Sequence, residues 1–176
     1  MLTLEFDGLF RGAPDNLHLT SDAGVMCYGW VILRGKVVIA HGHGGYARAH
    51  DASSNVAEYL GLIEGLEALV DMQATHEAIL ICGDAKSIIQ QMEGEASVTS
   101  SSIKPLNRRA VRLAQQFDRV YWSWKPRRHN HTADALTRRA LSQIKSNADQ
   151  MESAFTYSRH SARLRSLLDL RMFQAA

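Results

Sequence analysis

Only two cysteines occur in the 176 residues, Cys27 and Cys82, each alone in an apolar, strand-like stretch and neither in C-x-x-C spacing. That scarcity excludes a disulfide framework, and buried thiols in a reducing compartment are expected. No apolar run approaches the roughly 18 residues of a membrane span, so a soluble protein with no membrane partner is expected. The opening MLTLEFDG lacks the positive start and apolar core of a signal peptide, which points to a cytoplasmic location. Internal repeats and low-complexity tracts are also missing, and the length suits one globular domain with a proper core. Positive charge is scarce at first: residues 1–103 carry 5 Lys/Arg against 13 Asp/Glu, whereas residues 104–176 carry 15 against 5. The asymmetry suggests a polyanionic partner for the second part, with a solvated arginine-rich helix face as the plain alternative.

LTLEFDG alternates Leu2, Leu4 and Phe6 against Thr3, Glu5 and Asp7, the period of a half-buried strand. MCYGWVILR and KVVIAHGHGG, joined at Arg34-Gly35-Lys36, predict a hairpin. SSNVAEYLGLIEGLEALVDM places Val56, Leu60, Ile63, Leu66 and Val70 at helical spacing, and Asn55 with Glu58 fits a capping box. EAILICGD predicts a short buried strand, AKSIIQQMEG a short helix ending near Gly94, and KPLNRRAVRLAQQF a longer one with Pro105 in its first turn. RVYWSWK predicts a fifth strand with Val120, Trp122 and Trp124 facing the core. A helix from about Thr132 follows, then a further helical stretch to the C-terminus. Helices between the later strands imply parallel crossovers, so the expected fold is α/β, a five-stranded mixed sheet of order 3-2-1-4-5 flanked by helices.

Four acidic residues occupy related places: Asp7 in the first strand, Glu58 in the first turn of a helix, Asp84 at a strand end, and Asp134 in the first turn of the last core helix. Singly, Glu58, Asp84 and Asp134 also fit capping or helix-dipole roles. Together, on this topology, all four converge on one cleft. Four carboxylates do not stay ionised together without cations, and an all-oxygen set suits magnesium or manganese.

FDG with Asp7, NVAEYLGLIEGLEAL with Glu58, ILICGD with Asp84 and RRHNHTADAL with Asp134 resemble, in order and spacing, the four motifs of type 1 ribonuclease H. The resemblance covers roughly residues 1 to 145, so residues 1–146 are taken as a ribonuclease H domain and 147–176 as a C-terminal helical extension. It is closest to the short members, without an N-terminal hybrid-binding domain or a basic handle helix. The resemblance implies an endonuclease that hydrolyses the RNA strand of RNA/DNA hybrids with two Mg2+ ions, Mn2+ being an alternative, and with no small-molecule cofactor. By the family pattern Asp7 bridges both ions, Asp134 completes the site that activates water, and Glu58 and Asp84 hold the ion at the leaving oxygen.

His129 and His131 are candidates for a further catalytic role, because the position ten residues before the last aspartate, histidine in many relatives, is Trp124 here. Gly8, Arg11 and Asn16 in the first motif and loop, Ser54 and Asn55 before Glu58, and Arg127, Arg128 and Asn130 in the last motif are the expected substrate contacts. The first loop departs from the family pattern, with Ala13 where asparagine is usual. The competing reading is a non-catalytic or differently specific nucleic-acid-binding member of the same superfamily. The amphipathic tail is expected to dock on its own domain, to form a homodimer contact, or to add a basic arm.

Overall fold

Alternation in the first strand decides the layering. In β1 (Leu2–Gly12) Leu2, Leu4 and Phe6 are all 0% exposed and belong to the main core, while Thr3 and Glu5 between them remain partly exposed. The structure is a computed structural model that describes residues 1–15, 18–147, Phe155 and 171–175. β2 (Gly24–Arg34) pairs antiparallel with β1, and β3 (Val37–Arg48) pairs antiparallel with β2. Their two-residue connection, Gly35-Lys36, uses a left-handed Gly35 (φ 65), which matches the twist of a tight hairpin. β4 (Ala78–Gly83) then runs parallel to β1, and β5 (Arg119–Trp124) parallel to β4. The order expected from the crossovers, 3-2-1-4-5, is present.

A sixth strand extends it. β6 (Arg171–Ala175) lies antiparallel on β3, giving the order β5-β4-β1-β2-β3-β6. Helix was expected here, and strand replaces it because the outer edge of β3 at His43–Tyr46 offers backbone groups to pair. In so short a run, helical and strand periods are hard to tell apart. Phe155 is helical and buried. The rest of the expected helical extension lies outside the described residues.

α1 (Ser54–Asp71) covers the Leu2/Leu4/Phe6 face and buries Val56, Leu60, Ile63 and Leu66 as its spacing requires. Each fully buried aliphatic side chain contributes roughly 1.5–3 kcal/mol, so burial outweighs the cap, worth about 1 kcal/mol. That cap is Ser53, whose Oγ accepts from the Val56 N–H at 3.2 Å. The Asn55/Glu58 capping box is therefore not used: Asn55 already lies inside the helix, and Glu58 turns inward. α2 (Lys86–Glu93), closed by a left-handed Gly94 (φ 80), and α3 (Lys104–Ala114) continue this layer, with no helix between them.

α4 (His131–Lys145) packs on the opposite face against β1, β2 and β3. A smaller cluster forms there from Val25, Cys27 and Ala47 of the sheet, Ala140 and Ile144 of α4, and Phe155. Among the described residues, no helix is long and apolar enough to cross a membrane.

Candidate active site

Two glycines, one on β1 and one on β2, let helices from opposite faces close on the same region of the sheet. A Cβ on Gly8 would lie 2.2 Å from the Glu58 backbone nitrogen, so only glycine admits α1 at Ala57–Glu58 here, one turn further into the helix than the first turn expected for Glu58. A Cβ on Gly29, the register partner of Asp7, would lie 2.6 Å from the Ala133 carbonyl oxygen, so the first turn of α4 rests on that strand. The parallel pairing of β1 with β4 ends at Glu5 and Cys82. Asp7 and Asp84 each follow two residues later, at the crevice beyond the paired strands where open α/β sheets place their ligands.

Asp7, Glu58 and Asp84 each bring one carboxylate oxygen to within 4.8 Å of the other two. Asp7 is 1% exposed and Glu58 8% exposed, and Asp7 Oδ2 and Glu58 Oε2 are buried without a hydrogen-bond partner. Burial, with the charges of Asp84 and Asp134 adding to it, pushes the Asp7 carboxyl up to about 6, against an opposing hydrogen bond from Thr137. Burial and then the charges of Asp7 and Asp84 push Glu58 well above the usual carboxylate range, although the Gly8 N–H donates to it. Unpaired buried carboxylate oxygens are costly. Three converging oxygen donors with two such orphans fit a hard divalent cation.

Asp134, the fourth carboxylate, stands apart. Arg127 Nη2 donates to its Oδ1 at 2.7 Å, and Arg138 Nε, one helical turn on, donates to Oδ2 at 2.7 Å. Partial burial raises its pKa and is the largest single influence, but the bonds from Arg138 and Arg127 together outweigh it and hold the group below its usual value. Arg127 also feels Asp7 and Asp84, so its guanidinium lies within electrostatic reach of the buried cluster.

The other expected site residues divide. Ser54 and Asn55 are exposed on the first turn of α1, and Arg11, Arg127 and Arg128 are exposed. Asn130 is 0% exposed, and its Nδ2 donates to the Phe6 carbonyl at 2.7 Å. It ties the loop before α4 to β1 beside Asp7, and its burial removes it from the substrate contacts. Gly8 acts as the seat of α1 with its side-chain space filled by helix backbone. Asn16 lies outside the described residues. His129 and His131 are exposed on the loop and first turn of α4; His129 Nε2 accepts from Arg128 Nε at 3.1 Å, and neither histidine is hydrogen-bonded to the four carboxylates. Sequence reasoning missed Thr137, whose hydroxyl donates to Ala133 O at 2.9 Å and lies 3.4 Å from the Asp7 carbonyl. It also missed Arg138, although a cation four residues after Asp134 is a readable helix pair.

A family model described as Reverse transcriptase-like matches residues 17–140. The crystal structure of RNase H1 from Halobacterium salinarum superposes with a TM-score of 0.66 and 30% identity, covering 81% of this chain and 98% of that one. This chain belongs to the type 1 ribonuclease H family. Among the curated proteins, Halobacterium salinarum ribonuclease HI is 32% identical over 77% of this chain and 62% of its own length. A bifunctional protein of Mycobacterium tuberculosis is 35% identical over 80% of this chain, which spans only 35% of that protein. The solved N-terminal RNase H domain of that mycobacterial protein gives a TM-score of 0.68 at 28% identity, covering 84% of this chain and 99% of that one. A more distant ribonuclease H1, solved in complex with an RNA/DNA hybrid, shares the fold at 21% identity with a TM-score of 0.67. The ribonuclease H motifs thus sit on the elements expected of them, and three of the four carboxylates form one cluster.

Proposed function

We propose that this chain is an endoribonuclease that hydrolyses the RNA strand of RNA/DNA hybrids with divalent metal ions, Mg2+ in the first place. The observation that carries the reading is the convergence of Asp7, Glu58 and Asp84 within 4.8 Å, two of them with buried, unpartnered oxygens. A relative named ribonuclease HI and a neighbour of the same fold solved with such a hybrid support the substrate class. Asp7, Glu58 and Asp84 would hold one ion, and Asp7 with Asp134 a second. When bound, such a pair offsets charge developing on the phosphate and acidifies the attacking water. The chain's own residues position the substrate: exposed Ser54 and Asn55 stand beside Glu58 to meet 2′-hydroxyls, and Arg127 and Arg128 face phosphate. His129, before α4, and His131, its first residue, are the candidates for proton transfer or product release.

The test is incubation of the protein with labelled RNA/DNA hybrid, double-stranded RNA and double-stranded DNA, each with and without Mg2+. Internal cleavage of the RNA strand of the hybrid alone, dependent on the ion, is expected. Binding of hybrid without cleavage in Mg2+ or Mn2+ would replace the nuclease reading with that of a binding module.

A further inference from the structure

The two tryptophans of β5 were expected to share a core role, and the structure separates them. Trp122 packs against the main core, and the third tryptophan of the chain, Trp30, is 3% exposed. Trp124, two residues on, is 47% exposed. It pairs in register with Gly83, the residue before Asp84, and the Lys125 N–H continues the ladder to the Gly83 carbonyl at 3.0 Å. Its indole Nε1–H donates to the backbone carbonyl of Asp84 itself at 3.0 Å. The ring is therefore tied at its polar end to the residue that supplies a carboxylate to the site, and its apolar surface is what remains for solvent or a ligand.

An indole whose N–H is already satisfied and whose backbone is fixed by a ladder loses little freedom on contact, and its face suits any nucleotide. Isolated exposed apolar residues need no explanation. This one differs because its hydrogen bond places it at the rim of the carboxylate cluster. We propose that Trp124 is a substrate-positioning residue that stacks its ring on a nucleotide of the bound hybrid, on the Asp84 side of the cleft. The proposal rests on the hybrid-nuclease reading and adds a contact to it.

The test uses the full chain and its tryptophan fluorescence. In an Asp84→Asn background, which keeps the Asp84 carbonyl, hybrid is added in Mg2+ and its binding followed independently by anisotropy of a label on the DNA strand. Bound hybrid is expected to lower acrylamide quenching of the exposed tryptophan at least about twofold, and Trp124→Phe to abolish that change by removing the reporter. In the otherwise wild-type enzyme, Trp124→Leu is expected to raise KM roughly 5- to 150-fold, the range for one lost stacking contact. Trp124→Phe, which keeps a ring, should restore KM to within about threefold of wild type. Hybrid bound by anisotropy with unchanged quenching overturns the contact and leaves the nuclease reading standing, as does equal KM in the Leu and Phe variants. Absence of hybrid binding by anisotropy in the full-length wild-type protein overturns the nuclease reading, and this contact with it.

Discussion

Asp7 and Glu58 lie on the floor of the site, each with one buried oxygen that has no hydrogen-bond partner, whereas Asp134 on its rim has both oxygens held by arginines. The floor assembles from three separate segments, β1, α1 and the end of β4, with Gly8 letting α1 close on β1, while Gly29 seats the α4 turn that carries the rim. The rim is built within one segment: Arg127 and Arg138 lie seven residues before and four after their carboxylate. A short segment can carry its own counter-charges. Carboxylates gathered from distant elements into a desolvated cleft cannot, unless a cation arrives from solution. The floor is therefore where ion binding should govern both activity and stability, and the rim is where arginine chemistry should govern substrate affinity.

The largest expected effect is on the floor. Asp84→Asn keeps the shape of the side chain and removes its charge, so hybrid cleavage should fall at least roughly a thousandfold, at or below the low end for deleting a member of a catalytic constellation. The melting temperature without divalent ions should stay level or rise, because repulsion with Asp7 and Glu58 is relieved. Cleavage within tenfold of wild type would show that Asp84 holds no essential ion.

Next in size is a test of what supports the rim. Ile144 and Ala140 of α4 pack with Phe155, which is 2% exposed. Phe155→Ala should cost about 3 kcal/mol and lower the melting temperature by roughly 6–12 °C for a chain of this length. Truncation after Asn147 should cost at least as much, since it also removes β6. A truncated protein that matches full length in melting temperature, light scattering and KM would make the tail dispensable. A fall from dimer to monomer would instead assign it to an interface between copies.

The two regions should also answer pH with opposite signs. Asp7 has its folded-state pKa raised from 3.8 to about 6, so the folded protein binds the proton more tightly than the unfolded chain. Its contribution favours folding at low pH and is lost as pH rises from about 4 through about 6, by at most about 3 kcal/mol; Glu58, also raised by burial, contributes with the same sign. Asp134 is depressed, so its contribution is present above the usual carboxylate pKa and is lost as pH falls through its lower folded value. Thermal melts in chelator should therefore show stability falling from pH 5 to pH 7.5, and millimolar Mg2+ should reverse that fall by binding the native state alone. Equal melting temperatures at both pH values in chelator would mean that the floor carboxylates are not desolvated.

How much of this was readable depends on the length scale of each signal. The five strands, the parallel crossovers and the core face of α1 follow from periods of 2 and 3.6, and the four acidic positions from local motifs. The contacts that assemble the site were not legible. Gly8 and Gly29 read as ordinary strand glycines until helices are seen resting on them. Asn130 reads as a polar loop residue, yet it spans 124 positions to bond Phe6. Trp124 continues the alternation of Trp122, but β5 ends there and the ring emerges at the rim. The tail misled for a related reason: five residues carry too little periodicity to distinguish a helix from a strand completed by another strand's edge.

The smallest effect separates two neighbouring arginines. Among the described residues Arg128 donates to the ring of His129 and to no carboxylate, while Arg127 already bonds Asp134. Hybrid binding should weaken steeply between about 50 and 200 mM salt, each neutralised phosphate adding about 0.7–0.9 to the slope of log K against log salt. Arg128→Ala should therefore lower that slope by nearly the full increment with or without divalent ions. Arg127→Ala should lower it less in chelator, where Asp134 competes with phosphate for the same guanidinium. In Mg2+ an ion at Asp134 frees Arg127, and its increment should rise to match that of Arg128. The double variant in Mg2+ should then lose roughly 1.5 from the slope. An unchanged slope in the double variant would show that neither arginine meets phosphate, and an Arg127 increment indifferent to Mg2+ would show that the rim pair is not opened by the ion.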